Sequence, residues 1–199
     1  MTVLEDRIAM ADSIDSDAGL TLDVMFEALE KMPVPEGYKV EIVGGNIYMA
    51  PQRDIHWQII RRIVRALEDK FGMNVNVLSD VRIDFPGKLN GFAPDVAKLR
   101  DGSETSPEGR WQYEDVEFVA EVISKKTAAK DYGPKKLTYA LAEVPVYLIV
   151  DPYQHRCRLF TQPKDGDYTT ETKVAFGAAV DLTNTVVGLT LHTEDFPRD

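Results

Sequence analysis

The sequence predicts an α/β fold, and three observations carry that prediction. Apolar residues at positions 55, 59, 60, 63, 64, 67 and 71 form one face of a long helix. Short apolar segments follow near 75–78, 81–85, 93–99 and 118–123, the pattern of consecutive strands. Residues 146–150 are almost wholly apolar, as expected of a strand buried on both faces of a covered sheet. The core order reads helix, three strands, helix, strand. An N-terminal helix and hairpin precede it and a C-terminal β extension follows.

Each element has its own local cause. Residues 1–19 are acidic and short of large apolar side chains, so they are expected to be flexible, and residues 20–199 are expected to fold as one domain. Thr21 can cap a helix reaching Met32, with Leu22, Met25, Phe26 and Leu29 as its buried stripe, and Pro33 and Pro35 stop it. Gly44-Gly45 supplies the positive backbone dihedrals of a tight hairpin between 40–43 and 47–50. Asp54 is the expected N-cap of the long helix, whose outer side carries Arg61 and Arg65. Residues 100–115 form a long polar loop. A second helix is expected to start near Gly133-Pro134, with Leu137, Leu141 and Val144 as its apolar stripe. Segments 156–160 and 168–176 alternate as an antiparallel tail, with Cys157 as a buried strand residue.

Charge excludes some functions and locates others. The net charge of -10 argues against a protein that coats nucleic acid without specificity, because phosphate contacts require lysine and arginine. The acidity lies at the ends: residues 1–41 hold ten acids and three bases, and 161–199 hold seven and three. Residues 42–160 are balanced, with sixteen acids and seventeen bases. Within them Lys125, Lys126, Lys130, Lys135 and Lys136 crowd a segment that directly follows Glu121. Such a run is either a solvated helix flank or a phosphate-facing surface. No apolar run approaches the roughly 18 residues of a membrane helix, and the N-terminus lacks a signal-peptide pattern. A cytoplasmic protein with no membrane contact is expected.

Two strand residues stand out chemically. Glu121 interrupts the apolar string Val119-Ala120-Glu121-Val122-Ile123, and Asp95 interrupts Ala93-Pro94-Asp95-Val96. A lone buried carboxylate is costly unless paired or ligated. Two on neighbouring strand ends supply the hard oxygen ligands that Mg2+ or Mn2+ prefers, and such an ion activates water and neutralises phosphoryl charge. Ordinary buried acids paired with lysine or arginine produce the same pattern.

Pro94-Asp95, then Glu121-Val122-Ile123-Ser124, Asp131, Lys135 and Tyr139, then the run 144–152, resemble the Uma-type restriction endonuclease family of bacteria, in the PD-(D/E)xK nuclease superfamily. Leu20-Thr21, the string 40–45 and His56 extend the similarity upstream, so that it covers about 20–168. The resemblance implies a restriction-endonuclease-like core in which Asp95 and Glu121 bind the metal. In the superfamily a lysine lies two residues after the acid, whereas Ile123 stands there in this chain. The family register of a lysine and a tyrosine four residues apart points instead to Lys135 and Tyr139. Helical geometry sets these two opposite the apolar stripe and leaves Lys136 as the alternative lysine. Glu41 is a third acid that either reaches the site or lies exposed on its hairpin. His56 either meets a phosphate or proton, or simply packs.

The reading is a Mg2+- or Mn2+-dependent DNA endonuclease with Asp95, Glu121 and Lys135 as catalytic residues. Lys125, Lys126, Lys130, Arg61 and Arg65 are candidate contacts to the DNA backbone. Cutting both strands of a duplex favours a homodimer. Two alternatives stay open: a nuclease-fold DNA-binding or regulatory protein that has lost cleavage, and a metal-dependent hydrolase of another phosphate ester.

Overall fold

In a computed structural model of the chain, the residues described are 19–34, 37–51, 53–124 and 128–198. Residues 1–18, whose flexibility the sequence predicts, lie outside them, as do Lys125 and Lys126.

Helix α1 (Leu22–Glu30) begins where the Thr21 hydroxyl accepts the Val24 N–H, and it buries Met25 and Leu29. Strands β1 (Tyr38–Val43) and β2 (Asn46–Pro51) form the expected hairpin around Gly44 and Gly45, whose φ angles are 58° and 78°. In helix α2 (Asp54–Phe71) the cap is Arg53 rather than the expected Asp54. The Asp54 carboxylate instead sits in the first turn, accepts from the Gln58 amide at 3.3 Å and complements the helix dipole.

Next come β3 (Val77–Leu78), β4 (Ile83–Phe85), β5 (Asn90–Phe92), β6 (Val96–Leu99), β7 (Trp111–Gln112) and β8 (Val116–Val122). β5 and β7 were not expected, because strands of two or three residues are too short to show a period. Gly91 in β5 has a packing cause. A Cβ there would lie 2.6 Å from the Phe26 ring, so glycine is what lets α1 close over the sheet.

The second helical segment starts earlier than Gly133-Pro134. It runs as α3 (Ala128–Lys130), a π-helical turn over Asp131–Lys135, and α4 (Lys136–Leu141). Proline has no N–H to donate, and the wider turn accommodates Pro134 inside the helix. The expected apolar stripe is also corrected: Leu137 and Leu141 are about half exposed, at 51% and 54%, while Lys135, Thr138 and Tyr139 are buried. The chain finishes with β9 (Val146–Asp151), β10 (Arg156–Lys164), β11 (Asp167–Ala175), β12 (Val180–Asp181) and β13 (Thr190–Leu191).

A six-stranded sheet, in the order β11-β10-β9-β8-β6-β3, forms the centre, with β8 and β9 parallel and the other neighbours antiparallel. A five-stranded sheet, β2-β1-β5-β4-β7, lies beside it. β8 shows how alternation places chemistry. Phe118, Ala120 and Val122 pack with Ile59, Ile60, Ile63 and Leu67 of α2. Val119 and Ile123 face the opposite way, into the cluster formed with Phe85, Phe92, Tyr139 and Tyr147. Glu121 shares that second face. β9 is buried along its whole length, as its apolar composition predicts. Among the described residues no helix is long and apolar enough to cross a membrane.

Candidate active site

Four elements converge at one end of this second face. Lys39 and Glu41 alternate on β1 and therefore point the same way. Asp95 precedes β6, Glu121 lies near the end of β8, and the helical segment brings Lys130, Asp131, Lys135 and Tyr139. Glu41, Asp95, Glu121, Asp131 and Lys135 are all buried.

Asp95, Glu121 and Glu41 are held by named donors. One Asp95 oxygen, Oδ2, accepts the Val122 N–H at 2.7 Å, and the other, Oδ1, accepts from Lys39 Nζ at 2.7 Å. Glu121 Oε1 accepts from the Tyr139 hydroxyl at 2.7 Å and pairs closely with Lys135, which leaves Oε2 facing Lys39 at 3.7 Å. Glu41 Oε1 accepts from the Ala93 N–H at 3.1 Å and from Lys135 at 2.7 Å, and Oε2 pairs closely with Lys130. Tyr139 is itself fixed by Phe85, Phe92 and Tyr147, with ring centroids 4.9–5.6 Å away.

Ionisation follows from burial set against these partners. Burial opposes the charge of Glu41, but Lys135, Lys39 and Lys130 overcome it and hold the carboxyl well below its usual range. Burial prevails at Asp131, whose carboxyl is pushed up to about 7 in spite of Lys135 at 3.7 Å. Lys135 and Lys39 are also buried, yet Glu121 and Glu41 for the first, and Asp95, Glu41 and Glu121 for the second, keep both ammoniums firmly protonated. Burial raises Asp80 as well.

The residues singled out by sequence are only partly gathered here. Asp95, Glu121, Glu41, Lys135 and Tyr139 lie together, so Glu41 is a buried member of the cluster and not an exposed hairpin residue. Lys130, expected at a DNA-facing surface, has a side chain only 9% exposed and neutralises Glu41. His56 lines the adjoining cleft. Its buried Nε2 has no hydrogen-bond partner among the described residues, and burial lowers its pKa. Lys136 lies elsewhere, on Asp167 at 2.6 Å and over the Phe160 ring. Arg61 and Arg65 are exposed on the outer side of α2, with Arg65 bonded to Asp69.

Sequence reasoning missed Lys39 and Asp80. Lys39 was within reach, because a strand's period of two puts residue 39 on the face of residue 41. Asp80 was not, since it stands in the turn between β3 and β4 with a φ of 56°. Its carboxylate lies 3.5 Å from Lys39 Nζ.

The cleft over the cluster has a volume of about 190 Å³. Lys39, Glu41, Asp80, Asp95, Glu121 and Lys130 line it, whereas Lys135 lies beneath them with no exposure. Trp57, 56% exposed, and Arg53 stand at its α2 side. The donor chemistry fits a hard divalent ion, because the oxygens of Glu41, Asp80, Asp95 and Glu121 surround one cationic position. That position is taken by the Lys39 ammonium. Among the described residues no three His, Cys, Asp or Glu side chains are already spaced to hold one metal ion. The fit is therefore one of donor type and convergence.

A family model described as "Putative restriction endonuclease" (Uma2) matches residues 26–194. Among solved structures, one of a putative nuclease belonging to DUF820 from Anabaena variabilis is similar, with a TM-score of 0.68 and 15% identity. The alignment covers 89% of this chain and 97% of that one, and at such low identity it shows the fold alone, an α/β restriction-endonuclease-like fold. No curated protein matches the chain.

Proposed function

The chain belongs to the Uma2 family of restriction-endonuclease-like proteins, and from that premise we propose that it is a Mg2+- or Mn2+-dependent endonuclease hydrolysing DNA phosphodiesters in the cleft over Asp95 and Glu121. The observation that carries this reading is charge. Among the described residues in ion-pair contact, five carboxylates (Glu41, Asp80, Asp95, Glu121 and Asp131) face three ammoniums (Lys39, Lys130 and Lys135). Asp131 keeps its proton up to about 7 and Asp80 is partly exposed, so the excess is one to two negative charges, which a cation in the cleft would offset, and burying such an excess uncompensated is costly.

Asp95 Oδ1 and Glu121 Oε2 are the oxygens that would hold the ion, with Glu41 and Asp80 nearby. A bound Mg2+ or Mn2+ supplies an activated water and neutralises phosphoryl charge. The protein's own contribution is orientation. The Val122 N–H fixes the remaining Asp95 oxygen, and Tyr139 with Lys135 fixes that of Glu121. Lys135 is wholly buried beneath the cleft, so it acts as a positioning residue that pairs with Glu121 and keeps Glu41 ionised. Lys39 and Lys130 are the ammoniums that line the cleft and can meet a phosphate.

The test is incubation of supercoiled plasmid and of single-stranded DNA with Mg2+ or Mn2+. Wild type should nick both, and Asp95→Asn and Glu121→Gln should each cut at least about 100-fold more slowly, the scale expected when a charge-stabilising group is lost. Retained DNA binding with no cutting under any metal condition would replace this reading with that of a nuclease-fold binding protein. Hydrolysis of a small phosphodiester but never of DNA would favour another phosphate ester as substrate.

A further inference from the structure

One side chain in the cluster has no place in a preformed metal site. Lys39 Nζ lies 2.7 Å from Asp95, 3.5 Å from Asp80, 3.7 Å from Glu121 and 3.9 Å from Glu41. These carboxylates come from β1, the β3–β4 turn, the residue before β6 and β8, so the chain folds its own cation into the middle of them. The distances fit an ammonium. Mg2+ needs oxygens at about 2.0–2.1 Å, so the same four groups would have to draw inward to hold it. Two cations cannot share a volume of this size.

We propose that Lys39 is a tethered counter-ion that occupies the metal position at rest, and that a divalent ion binds by exchange with it. Lys39 has somewhere to go. Its side chain is 11% exposed and lines the cleft, which lies on the side from which an anionic substrate would arrive. Exchange turns one buried pairing into two, metal with carboxylates and Lys39 with solvent or phosphate. Metal affinity in the resting protein is thereby lowered, and a bound phosphodiester that takes up the displaced ammonium raises it again, since linkage between two ligands is reciprocal. This inference rests on the metal reading given above and adds to it the element that controls occupancy.

Calorimetric titration with Mn2+ of wild type, Asp95→Asn, Lys39→Met and the double variant tests it. Lys39→Met should bind Mn2+ at least about tenfold more tightly than wild type, with a larger Mn2+-induced rise in Tm, and both variants carrying Asp95→Asn should bind poorly. Equal or weaker binding by Lys39→Met, while wild type binds and Asp95→Asn does not, overturns the exchange and leaves the metal site standing. Saturable binding by none of the four overturns the metal site and the exchange together. A measurement on wild type guards against a variant that fails to fold: modification of Lys39 by an amine reagent, followed by mass spectrometry. It should quicken severalfold when Mn2+ is added, and an unchanged or slower rate overturns the proposal.

Discussion

Asp131 and Glu41 are buried acids in one cluster that respond to pH in opposite senses. The Asp131 carboxyl, near 3.8 when unfolded, is pushed up to about 7 by burial, so the folded protein carries its proton across that interval while the unfolded chain does not. Raising the pH through the interval therefore favours unfolding. Glu41 is held below its usual range against burial by Lys135, Lys39 and Lys130, so the stability it contributes is present above pH 4.5 and is lost as pH falls toward its folded value. Thermal unfolding of wild type and Asp131→Asn in the absence of metal should separate the two. As pH rises from about 4 to about 7, wild type should lose Tm relative to the variant, and the difference should level off above that; a constant difference would show that Asp131 ionises normally. The two neighbouring lysines differ as sharply. Lys135→Met leaves Glu41 and Glu121 without their shared partner and should cost about 3–5 kcal/mol in urea unfolding, the usual cost of breaking a buried pair. Lys136→Met loses a pair with exposed Asp167 and a cation–π contact to Phe160, whose ring the methionine still covers, and should stay within about 1 kcal/mol of wild type.

Among the elements, those with long periods could be read from sequence and those set by tertiary contact could not. α2 repeats its apolar stripe over five turns, and β8 and β9 are apolar enough to require burial, so their existence and type follow from pattern. The α3–α4 segment misleads because its leucines point outward while Lys135 and Tyr139 point in. Local amphipathicity assumes that charge seeks water, and here buried carboxylates supply what water would. β5 carries the other lesson, since its glycine answers to a helix some 65 residues away in the chain. Gly91→Ala should force its methyl against Phe26 and destabilise the protein by about 1–3 kcal/mol, the usual cost of overpacking. Relief by Phe26→Leu in the double variant, seen as a Tm above that of Gly91→Ala alone, would identify the clash as the cause.

At the scale of the whole molecule, the cluster joins two sheets. Lys39 and Glu41 belong to the five-stranded sheet, Glu121 to the six-stranded one and Asp95 to the segment that joins β5 of the first to β6 of the second, and the contacts among them cross the seam. The identity of Asp95 and Glu121 as inward-facing acids was legible because each interrupts an apolar string, whereas Glu41 stayed open between the site and an exposed hairpin until the fold buried it. Asp80 was not legible, because only the closing of one sheet on the other brings it near Lys39.

Two main-chain amides are wired directly to this chemistry. Val122 N–H donates to Asp95 and Ala93 N–H donates to Glu41, each across a separation of more than 25 residues. A backbone proton bonded to a carboxylate shifts its resonance with the charge and position of that carboxylate. The protein thus carries two native reporters, needing no dye and no mutation, and their 15N–1H cross-peaks would follow any change in the charge or position of these two carboxylates.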